Sequence, residues 1–190
     1  PSVEEMYPRG FENKSKIDFG FLAQTLEGEH RPGHFNGMAQ IVEKLLKIVR
    51  PDELFMGQKD YQQQLIVSQL INKQKLRTVL VTCPTTREKD GLAMSSRNVR
   101  LDKGSRKLAV EISKTLKKVK SKIQNRTPSI KQLQEYGLKR LSGLKEMEVE
   151  YFEIRNALTL KPLKSKSEKS VALAAVKIGG VRLIDNWLLN

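Results

Sequence analysis

Three segments of the chain hold residue types able to handle phosphate and carboxylate groups. The first is RPGHFNGMAQIV at 31–42, where Arg31 precedes a Pro-Gly turn and a helical pattern. A guanidinium there offers a fork of donors that can meet a carboxylate through two hydrogen bonds. His34 stands beside the helix start. The second is GQKDYQQQ at 57–64, between a short apolar run and a helix. Lys59 brings a compact point charge suited to phosphate. Gly57 permits close backbone approach, Asp60 suits a ribose hydroxyl, and Gln62 and Gln63 supply neutral donors and acceptors. The third is DGLAMSSRN at 90–98, with Met94, Ser95, Ser96 and Arg97 in a glycine-containing loop. Two hydroxyls and an arginine there make a phosphate clamp that can close over a nucleotide and reopen. Taken singly, the three segments read equally as a surface arginine, a solvated helix start and a hydrophilic linker.

The elements that must position these residues are legible from periodicity. Met38, Ile41, Val42, Leu45, Leu46 and Val49 recur at helical spacing, and Pro51 stops them. ELFMG at 53–57 predicts a buried strand. Asp60 is expected to cap a helix from Tyr61 to about Gln74. RTVLVTC at 77–83 is β-branched and ends at Pro84. Helix, strand, helix, strand in this order argues for a parallel sheet with crossover helices. Binding residues then belong at the carboxyl ends of the strands, where GQKD falls. With two strands the sheet is incomplete, and its remainder is expected upstream of Pro1. Composition changes after the 84–98 loop, so the expected units are 1–97 and 98–190.

The second unit reads as a small α+β domain. Leu108, Ile112, Leu116, Val119 and Ile123 form one apolar stripe. Thr127-Pro128 looks like the start of a second helix, which carries Ile130, Leu133, Gly137, Leu141 and Leu144. Strand signals follow around 148–154. SVALAAV and VRLID flank Gly179-Gly180, which reads as a hairpin turn, and 161–170 reads as an exposed loop.

Composition bounds the function further. No run approaches the ~20 apolar residues of a membrane span. One cysteine, Cys83, and two histidines leave no disulfide and no zinc cluster, and a reducing cytoplasm fits this usage. The formal charge of +14 is uneven. Residues 1–96 hold 13 Lys+Arg against 12 Asp+Glu, and residues 97–190 hold 22 against 9. Such an excess is either solvated helix faces or an attraction for polyanions.

The order RPGHF, GxKDYQQ, AMSSRN resembles the pantothenate synthetases, or pantoate–β-alanine ligases. PSVEEMYP, TLEGEHRPGHF and VRLIDN extend the likeness over essentially the whole chain. The resemblance implies an incomplete Rossmann-like nucleotidyltransferase sheet and a smaller lid domain. It implies ATP-dependent joining of pantoate to β-alanine through pantoyl adenylate, with Mg²⁺ arriving mostly with ATP. Gly57, Lys59, Asp60, Met94, Ser95, Ser96 and Arg97 are then the ATP-binding residues, with Lys59 and Arg97 the catalytic ones. Gln63, Arg31 and His34 are those for pantoate, and no residue is assigned to a protein-bound metal. AMSSR looks like the counterpart of the superfamily's KMSKS loop, with Ser96 at its usual lysine. Gln58 stands where many relatives carry glutamate.

An HxGH motif, which holds ATP phosphates in this superfamily, is absent, because His30 and His34 are four apart. That motif is expected upstream, and the 190 residues alone are expected to be inactive. Small-molecule partners, no membrane and a homodimeric parent are likewise implied. The alternative is a basic RNA-binding module descended from the ligase. An aromatic content of 6%, without an aromatic–basic stacking platform, argues against it.

Overall fold

The structure, a computed structural model, describes residues 1–8, 17–124 and 128–189. A single turn, α1 (Val3–Met6), opens the chain. It is closed by a capping box in which Ser2 accepts from the Glu5 amide and Glu5 accepts from the Ser2 amide. Two more short turns follow, α2 (Phe21–Gln24) and α3 (Glu27–His30). Helix α4 (His34–Val49) starts behind Gly33, whose φ of 78° only glycine adopts without strain. It stops where Arg50 turns left-handed ahead of Pro51. Strand β1 (Glu53–Gly57), helix α5 (Tyr61–Lys73) and strand β2 (Val79–Cys83) complete a parallel pair with Glu53 opposite Val79 and Gly57 opposite Cys83.

Three expectations are corrected here. Strand β1 is not buried as predicted: Leu54 and Met56 pack against Leu46, Val67 and Ile71, while Phe55 on the other face is exposed. Asp60 occupies the N-cap position of α5, but its side chain makes no capping hydrogen bond. The turn Gln58–Asp60 is a single 3₁₀ coil that feeds directly into α5. The predicted face of α4 is also only half covered: Ile41, Leu45 and Val49 are exposed, while Phe35, Ala39 and Leu46 are buried.

The second half packs α6 (Lys103–Gln124) and α7 (Ile130–Ser142) on an antiparallel meander of β3 (Met147–Asn156), β4 (Ser170–Ile178) and β5 (Val181–Leu188). Helix α7 begins behind Ser129, which forms a capping box with Gln132. Pro128 therefore precedes the cap and is not the first helical residue as predicted. Thr127 lies outside the described residues. Gly179 and Gly180, at φ 53° and 72°, make the two-residue hairpin between β4 and β5.

Strand β4 explains why SVALAAV shows no polar alternation. Ala172, Ala174, Val176 and Ile178 face a core shared with Ile112, Leu116, Val119, Leu133 and Leu141 of α6 and α7. Val171 and Leu173 face a second core built by Phe19, Leu22, Phe35, Tyr61, Ile66 and Leu70. A central strand covered on both faces needs apolar residues at every position. The two halves of the chain are thus joined across β4. The Tyr61 hydroxyl strengthens the join by donating to the Ala157 carbonyl at 2.9 Å, and burial pushes its pKa up to about 12.

Candidate active site

A narrow, partly open cavity lies at the carboxyl end of β1, where the halves meet. Arg31, His34, Lys59, Asp60 and Gln63 line it together with Glu27, Tyr151 and Asn186. Five predicted site residues from two sequence segments therefore converge. Among the described residues, Lys59, Arg31 and Gln63 have no side-chain hydrogen bond or ion pair, so their donors are available to a ligand. Gly57 stands at the strand end with open space where a Cβ would be. His34 is held below its ordinary pKa, first by burial and then by the nearby Arg31 charge, so the imidazole is neutral at pH 7.

The 94–97 segment is not among the cavity walls. Its loop is anchored on both sides of the exposed part. Arg87 forms a two-pronged pair with Asp185 at 2.7 and 3.0 Å, and stacks on Trp187 at 4.4 Å. Arg106 of α6 holds Glu88 at 2.9 Å and Asp90 at 2.8 Å, and Asn98 donates to Glu88 and to the Ala93 carbonyl. Between these anchors Met94, Ser96 and Arg97 are exposed. Ser95 accepts from the Arg97 amide, and Arg97 donates to the carbonyl of Arg182 at 3.3 Å.

Several functional side chains escaped the sequence. Gln62, read as a ligand-facing amide, is 3% exposed and fully used. It donates to the Leu22 and Thr25 carbonyls and accepts from the Glu27 amide, fixing the segment that carries Glu27 and Arg31. Glu27 in turn accepts two hydrogen bonds from Arg182 and one from the Tyr151 hydroxyl at 2.7 Å. Burial pushes the Glu27 carboxyl up, yet the Arg182 and Tyr151 hydrogen bonds and the charges of Arg182 and Arg31 outweigh it and hold the carboxyl low. Tyr151 is pushed well above its usual pKa, mainly by burial and then by the Glu27 charge. The only sequence signal for these residues was their place in TLEGEH, VEYFEI and VRLIDN, where nothing local marks a partner.

The basic excess lies elsewhere. Lys103, Lys107, Lys114, Lys117 and Lys118 occupy an exposed face of α6, and none lines the cavity. Tyr136 of α7 is engaged by Lys122 at 4.9 Å. Among the described residues no group of three or more His, Cys, Asp or Glu is placed to hold a metal ion. Nor is any helix among them long and apolar enough to cross a membrane.

A parallel α/β unit with unpaired cations and amides at a strand's carboxyl end, closed on one side by an antiparallel unit, is the architecture of an α/β enzyme. Comparison with known proteins narrows this class. The family model described as pantoate-beta-alanine ligase matches residues 1–188, and the chain belongs to that family of ligases. It is 40% identical to the pantothenate synthetase of Cytophaga hutchinsonii, covering 100% of this chain and 67% of that protein. It is 39% identical to that of Acetivibrio thermocellus, with the same coverage. The chain thus spans about two thirds of the length of these relatives. The crystal structure of pantothenate synthetase from Thermus thermophilus superposes with a TM-score of 0.92 at 35% identity, over 100% of this chain and 68% of that one. A pantoate-beta-alanine ligase from Francisella tularensis, complexed with beta-gamma ATP and beta-alanine, gives 0.70 at 32% identity, over 98% and 62%.

Proposed function

We propose that these residues supply the Lys59 and 94–97 half of a site that joins pantoate to β-alanine at the expense of ATP. The observation that carries this reading is the convergence of Lys59, Arg31 and Gln63, whose side chains make no protein hydrogen bond or ion pair among the described residues, on one cavity at the end of β1. The chemistry runs in two steps. A pantoate carboxylate oxygen attacks the α-phosphorus of ATP while the bond to pyrophosphate breaks, giving pantoyl adenylate. The β-alanine amine then attacks the acyl carbon, the carbon–oxygen bond to AMP breaks, and the nitrogen loses its proton to water or phosphate. A free carboxylate is a poor electrophile, and adenylation gives it a good leaving group.

In this scheme Lys59 and Arg97 balance phosphate charge, Ser95 and Ser96 donate to phosphate oxygens, and Met94 packs at the loop's tip. Gly57 and Asp60 face the ribose, while Gln63, Arg31 and His34 orient pantoate. A neutral His34 suits that role as a donor or acceptor beside a carboxylate. Mg²⁺ enters with the nucleotide. In this scheme the 94–97 loop moves inward from its seat on Arg182, with 1–97 as the nucleotide-binding unit and 98–190 as its lid. The setting is the cytoplasm, which lone Cys83 suits, and the assembly is the homodimer that the family resemblance implies.

The 190 residues alone are proposed to be inactive, since they contain no HxGH to share the phosphates. The test is pantoate-dependent exchange of pyrophosphate into ATP by an intact ligase that carries these residues. Exchange that requires pantoate and no β-alanine supports the adenylate. Exchange that required β-alanine would overturn the two-step order.

A further inference from the structure

Lys59 sits on a turn that has little to hold it locally. Asp60 gives no capping bond to α5, and the Gln58–Asp60 coil is one turn long. Its anchor comes instead from β5, 127 positions away. The Asn186 amide donates from Nδ2 to the Lys59 carbonyl at 2.8 Å and to the Gln58 carbonyl at 3.0 Å. Its Oδ1 accepts from the Gln58 side chain at 3.1 Å. The orientation of this amide follows from chemistry. Both carbonyls can only accept, so the NH₂ must face them, and the oxygen is left for the Gln58 donor.

The anchor is itself rigid. Asn186 is 2% exposed and pairs across the sheet with Leu173 of β4. Its neighbour Asp185 is held by Arg87 through two charged hydrogen bonds, and Arg87 also donates to the Asn186 carbonyl at 3.3 Å. A buried side chain that uses both Nδ2 hydrogens and its oxygen on one turn is well suited to fix that turn's backbone.

We propose that Asn186 is a positioning residue for Lys59, clamping the carbonyls of Gln58 and Lys59 so that the ammonium is aimed at the nucleotide phosphates from a backbone set by the second half of the chain. The inference rests on the phosphate role proposed for Lys59. A flexible four-carbon stem aims its charge only as well as its own backbone is held. The clamp also fits Gln58, whose side-chain donor a glutamate would lack. Because β5 belongs to the lid unit, any shift of that unit against β1 is passed to Lys59 through one side chain.

The test is titration of the 190-residue chain with Mg-ATP, followed by chemical shifts that read weak binding, for four variants. These are Lys59→Ala, Asn186→Asp, their combination, and the milder Gln58→Ala. Asn186→Asp replaces the donor with an acceptor facing two carbonyls, at nearly constant shape. Lys59→Ala and Asn186→Asp are each expected to raise the dissociation constant about tenfold, with little further change when combined. Gln58→Ala is expected to raise it two- to threefold, and it carries the test if Asn186→Asp does not fold. Thermal unfolding of each variant separates folding from aim. If Asn186→Asp lowers the melting temperature but leaves ATP affinity intact, Asn186 is merely structural and the inference fails while the Lys59 reading stands. Fully additive losses overturn it in the same way. An unchanged affinity in Lys59→Ala overturns both.

Discussion

Arg182 on β5 grips Glu27 on α3 with two charged hydrogen bonds, Nη1 to Oε2 at 2.8 Å and Nη2 to Oε1 at 2.7 Å, although the residues are 155 positions apart. The third guanidinium nitrogen of Arg182, Nε, donates to Glu150 at 2.8 Å. Both partners in the pair are largely buried. Arg182→Met should therefore cost about 3–5 kcal/mol, because it leaves a buried carboxylate without its cation. Urea unfolding measures this. The pH dependence has a definite sign. The Glu27 carboxyl is held low in the folded protein, so its contribution is complete above the unfolded carboxylate pKa of about 4.3 and is lost as pH falls through the folded value. In Arg182→Met the buried carboxyl would rise instead, so acidification from neutral pH should narrow the gap to wild type. A constant gap from pH 7 to 4 would contradict this.

Lys59→Ala in an intact ligase should cripple adenylate formation. Removing one preorganised charge at a reacting phosphate costs roughly 3–4 kcal/mol of transition-state stabilisation, which is about a hundredfold or more in rate. Pantoate-driven pyrophosphate exchange is the measurement. A rate within a few-fold of wild type would remove Lys59 from the phosphate site.

Arg97→Ala and Arg31→Ala should separate the two substrates. Arg97 is on the exposed 94–97 loop, whereas Arg31 lines the cavity ahead of α4. Loss of Arg97 should raise the Michaelis constant for ATP, and loss of Arg31 that for pantoate. A change confined to β-alanine in Arg97→Ala would refute the loop's assignment.

Gly137→Ala should destabilise the second half by about 1–3 kcal/mol through overpacking. A Cβ at Gly137 would overlap the ring of Phe152, where α7 presses on β3. Alanine favours a helix interior over glycine by about 1 kcal/mol, so a neutral or stabilising result would mean that the ring moves aside at little cost.

The purified 190-residue chain, given ATP, Mg²⁺, pantoate and β-alanine, should release no AMP above background. Turnover comparable with a full-length relative would show that an HxGH segment is dispensable and would undo the account of the site.

What the sequence determined by itself was local. Apolar spacing marked α4, α5, α6 and α7, a short apolar run marked β1, a β-branched run marked β2, and Gly179-Gly180 marked the hairpin, because backbone preference and turn chemistry act within a few residues. The motifs around Arg31, Lys59 and Arg97 carried the family resemblance for the same reason. Tertiary structure decided how residues far apart in the chain use one another. SVALAAV is apolar throughout, yet only packing shows that Val171 and Leu173 face one core and Ala172 and Ala174 the other. Gln62 and Gln63 are adjacent glutamines, yet one is consumed by three backbone groups while the other faces the cavity. Asp60 was read both as a cap and as a ribose contact, and it lines the cavity with no capping bond, while nothing in VRLIDN told that the Asn186 amide would meet the Lys59 carbonyl. A side chain's type states which hydrogen bonds it can make. Which of them it makes is fixed when the chain folds, because a buried donor left unmatched costs more than the bond gains, and the partner that satisfies it can come from anywhere along the chain.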